Sequence, residues 1–182
     1  ILMFILSAIF GDNIMKALWE NIFKYWNKQE NPTKAVLKQI PVFHELSDRQ
    51  MREIENLCHK RRYKQGETVF KRLAPGEGMF IILSGTIEIF IEDKNGNKKT
   101  LAVLNNGEFF GELSLLDSDI RSATAMATEN SDLLAFLRPD LQSFSKRNPQ
   151  TGNKILFNLA KVMAARLRKT SEQVSEKSAE LV

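Results

Sequence analysis

The sequence predicts an α+β fold: an antiparallel β-roll or jelly-roll barrel of about eight strands, with helices before it and one long helix after it. Three observations predict this. Helix start signals cluster before Lys60. From Lys60 the hydrophobic period falls to two, in short runs separated by glycine-bearing turns. After Leu137 the period becomes helical again and stays so up to a polar tail. With 182 residues, 43% of them hydrophobic, the chain is long enough for one well-filled core and an appendage. The expected division is an N-terminal apolar and amphipathic appendage at 1–32, the roll with its flanking helices at 33–148, and a C-terminal lid or dimer helix with its tail at 149–182.

The first ten residues are apolar apart from Ser7 and are interrupted by Gly11-Asp12-Asn13, too short a run to span a bilayer. They lack the basic start and cleavage pattern of a signal peptide. The sequence opens on Ile1 and not on Met, as expected of an end that is either cut from something longer or incompletely reported. From Ile14 a helix is expected, with Ile14, Leu18, Ile22 and Trp26 on one face and Lys16, Glu20, Lys24 and Lys28 on the other. A basic helix carrying Trp19, Tyr25 and Trp26 suits a membrane interface, but packing on its own domain or a partner subunit is the commoner use of such a face.

Asn31-Pro32 reads as an N-cap followed by proline at the first helical position, giving a helix over 33–39 that ends before Pro41. Ser47 with Gln50 three residues on is a capping box for a helix reaching about Cys58. Strands follow at 63–64, 68–71, 79–83 and 87–91, the last alternating Ile87, Ile89 and Ile91 with Glu88 and Phe90. Asn95-Gly96 turns the chain into 100–104. Gly107 and Gly111 bracket a brief strand, and 112–116 forms one helical turn. Two more strands fall at 121–128 and 132–137. Arg138-Pro139-Asp140 opens a helix to Arg147, and Asn148-Pro149 starts the longest one, 150–176. Its apolar stripe of Ile155, Leu159, Val162, Met163, Leu167 and Val174 exceeds what the edge of a small roll covers, so part of it is expected to pack on a twin helix in a homodimer.

The net charge of +4 is mild, and the basic runs at Lys60-Arg61-Arg62, Lys98-Lys99 and Arg166-Arg168-Lys169 are short and scattered, which argues against nucleic-acid binding by this chain alone. Cys58 is the only cysteine, so no internal disulfide forms and a reducing, cytoplasmic setting fits, with contact of the N-terminal segment at a membrane left open. His44 and His59 have no partners at metal-ligand spacing, so neither a metal site nor a metal-dependent barrel oxygenase is expected.

The chemistry concentrates in Phe110-Gly111-Glu112-Leu113-Ser114-Leu115-Leu116-Asp117-Ser118-Asp119-Ile120-Arg121-Ser122-Ala123-Thr124. A helical turn entered from a glycine offers free N–H groups to an anion. Arg121 adds a planar donor fork suited to phosphate, and Ser122 a hydroxyl beside it. Glu112 repels phosphate but accepts from a sugar hydroxyl, and phosphate with ribose makes a nucleotide pocket. The run resembles the phosphate-binding cassette of the cyclic nucleotide-binding domain family: Phe-Gly-Glu-Leu-Ala/Ser-Leu, a variable loop, then Arg-Ala/Ser/Thr-Ala-Thr, with every fixed position filled. A second family block, a Pro-Gly turn running into an apolar strand and a glycine, is matched by Pro75-Gly76 through Gly85. Leu73 and Ala74 depart from it, standing where the family usually has Gly-Asp. The resemblance covers about 34–174.

What the resemblance implies is a sensor that binds a cyclic nucleotide and catalyses nothing, with no cofactor besides the ligand. Gly111, Leu113, Ser114, Arg121 and Ser122 would hold the phosphate and Glu112 the ribose. Leu101 and Val103 would line the base. The stretch 165–174 resembles the dimer helix of the catabolite-activator branch, which would put Thr170 and Ser171 on the base as well. Ser122, rather than Thr, and the Thr170-Ser171 pair favour cyclic AMP over cyclic GMP. Two further readings stand beside this one: the sensor half of a catabolite-activator-like transcription factor, and the cytoplasmic end of a membrane channel or transporter.

Overall fold

The computed structural model describes residues 32–117 and 119–179. The expectations for the apolar start, the helix from Ile14 and the Asn31 cap lie outside the described residues. The chain divides into two compact units, Ile1–Ala35 and Val36–Val182. Among the described residues the first element is helix α1 (Pro32–Gln39).

A 3-10 turn, Pro41–Phe43, leads to α2 (Asp48–Leu57). The capping box at its start is formed: Ser47 Oγ accepts from the Gln50 N–H at 3.3 Å, and Gln50 Oε1 accepts from the Ser47 N–H at 2.8 Å. Strands β1 (Cys58–Tyr63), β2 (Thr68–Phe70), β3 (Gly78–Ser84), β4 (Ile87–Glu92) and β5 (Lys98–Leu104) follow. Next come β6 (Phe109–Phe110), a second 3-10 turn (Glu112–Leu115), β7 (Thr124–Ala127) and β8 (Ser131–Leu137). Helices α3 (Arg138–Arg147) and α4 (Pro149–Ala179) close the sequence of elements. Among the described residues, no helix is long and apolar enough to cross a membrane.

Two four-stranded antiparallel sheets, ordered β1-β8-β3-β6 and β2-β7-β4-β5, face each other as a jelly-roll-like sandwich. Period-two alternation makes the first sheet a shared wall. Met79, Ile81, Leu134 and Phe136 point to the helices, where they meet Leu37, Phe43, Ile54 and Ile155. Ile82 and Leu133 point the other way, into the roll, with Ile87, Phe110 and Ala125. Phe43 and Phe136 pack edge to face with ring centroids 5.6 Å apart.

Two strands differ from the sequence reading. β1 starts at Cys58, where a helix end was expected, because its pairing with β8 (His59 opposite Ala135) holds residues whose own side chains are nearly all exposed. Phe90, which alternates with Ile87, Ile89 and Ile91 in the sequence, is buried as Ile87 is, because a bulge between Ile89 and Phe90 breaks the alternation. The Lys98 ammonium lies 4.1 Å from the Phe90 ring centroid. The stripe on α4 also divides differently. Ile155 and Leu159 are fully buried against the chain's own core with Val162 and Met163 beside them, whereas Phe157 and Leu167 are 64% and 68% exposed.

Candidate functional site

The second 3-10 turn is entered through Gly111, whose φ of 72° is the left-handed conformation that glycine adopts without penalty. A side chain there would also fail for space, since a Cβ would lie 2.6 Å from Arg121 Nη1. Across the loop, a Cβ on Gly76 would lie 2.0 Å from Ser114 Oγ. The backbone of 73–76 clamps that of 119–121: Leu73 N–H donates to Arg121 O at 2.9 Å, Arg121 N–H to Ala74 O at 2.8 Å, and Gly76 N–H to Asp119 O at 3.2 Å. Leu73, one of the two family departures, meets this geometry with a φ of 67° and an exposed side chain.

The clamp places Arg121 at the base of a cavity of about 370 Å³. Its side chain is buried, and Nη1 donates to Ser114 Oγ at 2.9 Å and to Gly111 O at 3.2 Å. Its Nε is buried with no hydrogen-bond partner. Burial pushes the Arg121 pKa down, partly countered by the negative charges of Glu77 and Glu112. Glu112, also buried, accepts from Arg166 Nη1 at 2.6 Å through Oε1, while its Oε2 has no partner. Arg166 comes from α4 and also donates to Phe109 O at 3.2 Å. It was not among the residues singled out from the sequence. The available signal was its position one helical turn before Thr170, which puts the two on one face.

Six of the expected residues, Gly111, Glu112, Leu113, Ser114, Arg121 and Ser122, line this one cavity. Leu101 and Val103 do not. They are 52% and 54% exposed, and Ala102 and Leu104 line the cavity instead. The cause is register. Ala102 pairs with Ile89 and Leu104 with Ile87, so they share the inner face, whereas Val103 pairs with Glu88 on the outer one. Leu101 is the unpaired residue of a bulge, since Ile89 pairs with Ala102 but Phe90 with Thr100. Thr170 and Ser171 are exposed on α4 and are not among the cavity lining, and Thr170 Oγ1 donates to Arg166 O at 2.9 Å. Cys58 is a half-buried thiol whose pKa is pushed up to about 12 by burial and by the charges of Glu55 and Asp140, which disfavours the thiolate. Among the described residues no cluster could hold a metal ion.

Within this jelly-roll-like sandwich, a buried guanidinium and a buried carboxylate, each with an unpartnered polar atom, line a common cavity, an arrangement with the chemistry to receive a small anion that bears hydroxyls. Residues 60–148 match the cyclic nucleotide-binding domain, and the chain belongs to that family. It is 36% identical over 132 residues to the "Cyclic AMP receptor protein" of Thermus thermophilus, covering 72% of this chain and 59% of that protein. It is 32% identical over 123 residues to the "cAMP-activated global transcriptional regulator Vfr" of Pseudomonas aeruginosa, covering 65% of this chain and 56% of that protein. Among solved structures, the N-terminal domain of a transcriptional regulator from Streptomyces coelicolor matches with a TM-score of 0.67 at 31% identity, over 76% of this chain and 94% of that one. The chain thus spans somewhat over half the length of these two curated relatives.

Proposed function

We propose that the cavity takes a cyclic nucleotide, cyclic AMP ahead of cyclic GMP, and that the chain senses its ligand without transforming it. The observation that carries this reading is the pair of buried, unpartnered atoms, Arg121 Nε and Glu112 Oε2, in residues that line the same cavity. An unmet donor and an unmet acceptor are each costly until a ligand arrives. A cyclic phosphate supplies the acceptor, with Ser122 and the backbone from Gly111 to Ser114 beside it. A ribose 2′-hydroxyl supplies the donor for Glu112. Ala102 and Leu104 then line the base in place of Leu101 and Val103. Thr170 reaches the base from α4 once that helix closes over it, and Ser171 reaches the base held by the partner copy of the dimer. The names of the Thermus and Pseudomonas relatives support the choice of cyclic AMP.

Arg166 supplies the link to output, because it joins α4 to the carboxylate that meets the ribose. A ligand that binds more tightly when this contact is arranged one way shifts the population of α4 positions, and that differential affinity is the signal. In this reading 33–148 is the sensing unit and 149–182 the lid and dimer segment, and the chain works in a reducing, cytoplasmic setting. The sequence similarity to transcriptional regulators favours a regulator of that kind as the whole protein's output.

Calorimetric titration with both nucleotides tests the reading. Cyclic AMP is expected to bind several-fold to about thirtyfold more tightly than cyclic GMP, the difference of one or two weak hydrogen bonds. Arg121→Ala should weaken cyclic AMP by at least about tenfold, the loss of a charge-assisted bond. An Arg121→Ala chain that stays folded and binds within threefold of the parent would remove Arg121 from the site. Equal or tighter binding of cyclic GMP would overturn the base choice.

A further inference from the structure

Arg121 is buried, yet none of the hydrogen bonds it makes in the structure is to a carboxylate: Nη1 is held by a hydroxyl and a backbone carbonyl, and the nearby Glu112 is engaged by Arg166. What it does contact is a ring. The guanidinium carbon lies 4.0 Å from the centroid of Phe70, within the range of a cation–π contact. Phe80 lies further off, at 5.9 Å. Phe70 is itself held by other rings, with Phe80 at 5.9 Å and Phe110 at 5.7 Å between centroids, and Phe80 stacks on Phe110 at 5.5 Å. β2 therefore supplies an aromatic platform, backed by β3 and β6, beneath one face of the guanidinium.

We propose that Phe70 is a positioning residue for Arg121: its ring face compensates the desolvated charge while the cavity is empty and fixes the guanidinium plane. Ring contact on one face and the two Nη1 bonds on one edge together leave the Nε side as the fork open to an acceptor. Without the ring, only the two bonds from Nη1 orient the guanidinium, its face is unsupported, and a phosphate would have to complete its ordering on binding. A purely apolar residue of similar bulk fills the space but offers no quadrupole, which separates positioning from packing. This inference rests on the cyclic-nucleotide reading of the cavity.

The test uses the whole chain with Phe70→Leu and Phe70→Tyr, and Phe70→Met in case the leucine variant does not fold. Two quantities are read: the affinity for cyclic AMP by calorimetry, and the Nε–H resonance of Arg121 in the ligand-free chain by NMR. In the parent that resonance is expected to be displaced by the ring current of Phe70 and protected from exchange. Phe70→Tyr should keep both features and bind within threefold of the parent. Phe70→Leu or Phe70→Met should lose the displacement and bind about tenfold more weakly, the scale of one desolvated cation–π contact. Unchanged affinity in the leucine or methionine variant, or a tyrosine variant as weak as leucine, overturns the positioning role while leaving the nucleotide reading intact. A folded parent that binds neither cyclic AMP nor cyclic GMP overturns the nucleotide reading, and the positioning role with it.

Discussion

Leu73 occupies a backbone conformation that costs an L-residue about 1–2 kcal/mol, and its exposed side chain gives little in return. The strain persists because Leu73 N–H and Ala74 O both bond to Arg121, so relaxing the turn would release the residue at the base of the cavity. Leu73→Gly is therefore expected to raise stability by about 1 kcal/mol with binding unchanged, which denaturant titration and calorimetry together check. Cys58 gives a pH signature. Its folded pKa, raised to about 12 from 9.0, means that the folded state holds its proton where the unfolded state has lost it. Its stabilising effect is thus complete below pH 9.0 and lost as pH rises toward about 12, at up to about 1.4 kcal/mol per pH unit. Relative to the parent, Cys58→Ala should flatten that decline in chemical denaturation at pH 8, 9 and 10. An equal slope in both proteins would mean that the thiol is solvated.

Elements carried by local chemistry were legible in the sequence, and those carried by partners were not. The Ser47–Gln50 box, the Gly111 entry to the second 3-10 turn and the Asn148-Pro149 junction are signals written within a few residues, and each element lies where they point. The basic strand β1 owes its existence to β8, so its own side chains carry no alternation to read. The cavity face of β5 was misassigned for a related reason. An exposed Leu101 and Val103 look like lining, and only the bulge and the register with β4 reveal that the small Ala102 is the inward residue. Arg166 is not legible as a site residue because a basic residue in a helix near other basic residues reads as surface. The register makes a paired prediction. Ala102→Phe should fill the cavity and weaken cyclic AMP by tenfold or more, while Leu101→Phe, on the exposed bulge, should leave the affinity within threefold. Titration of the two variants decides which face of β5 meets the ligand.

At the scale of the whole molecule, the exposed positions Phe157, Ala160, Ala164, Leu167 and Ser171 recur on α4 at alternating three- and four-residue steps, the seam of a helix pair. We propose a second copy of the chain as its occupant, since the small residues would let two helix backbones approach closely. Leu167→Glu with Phe157→Glu should turn a dimer into a monomer in sedimentation at micromolar concentration, while Ile155→Ala should instead destabilise the fold by about 2–5 kcal/mol, the range for a fully buried aliphatic side chain. A parent that sediments only as a monomer, with and without ligand, would end the dimer proposal.

The pairing of β1 with β8 joins the first strand of the roll to the last, with Tyr63 opposite Ser131. Nearly everything that forms the cavity lies on the chain between them, so pairing these two strands closes a long loop at a cost in chain entropy. On the ribosome, the closing of the roll therefore waits for β8. A nascent chain halted before Ser131 has emerged carries the whole cassette without β8, the strand that holds β1 against β3. Ligand capture during synthesis would therefore mark the moment at which the roll has closed.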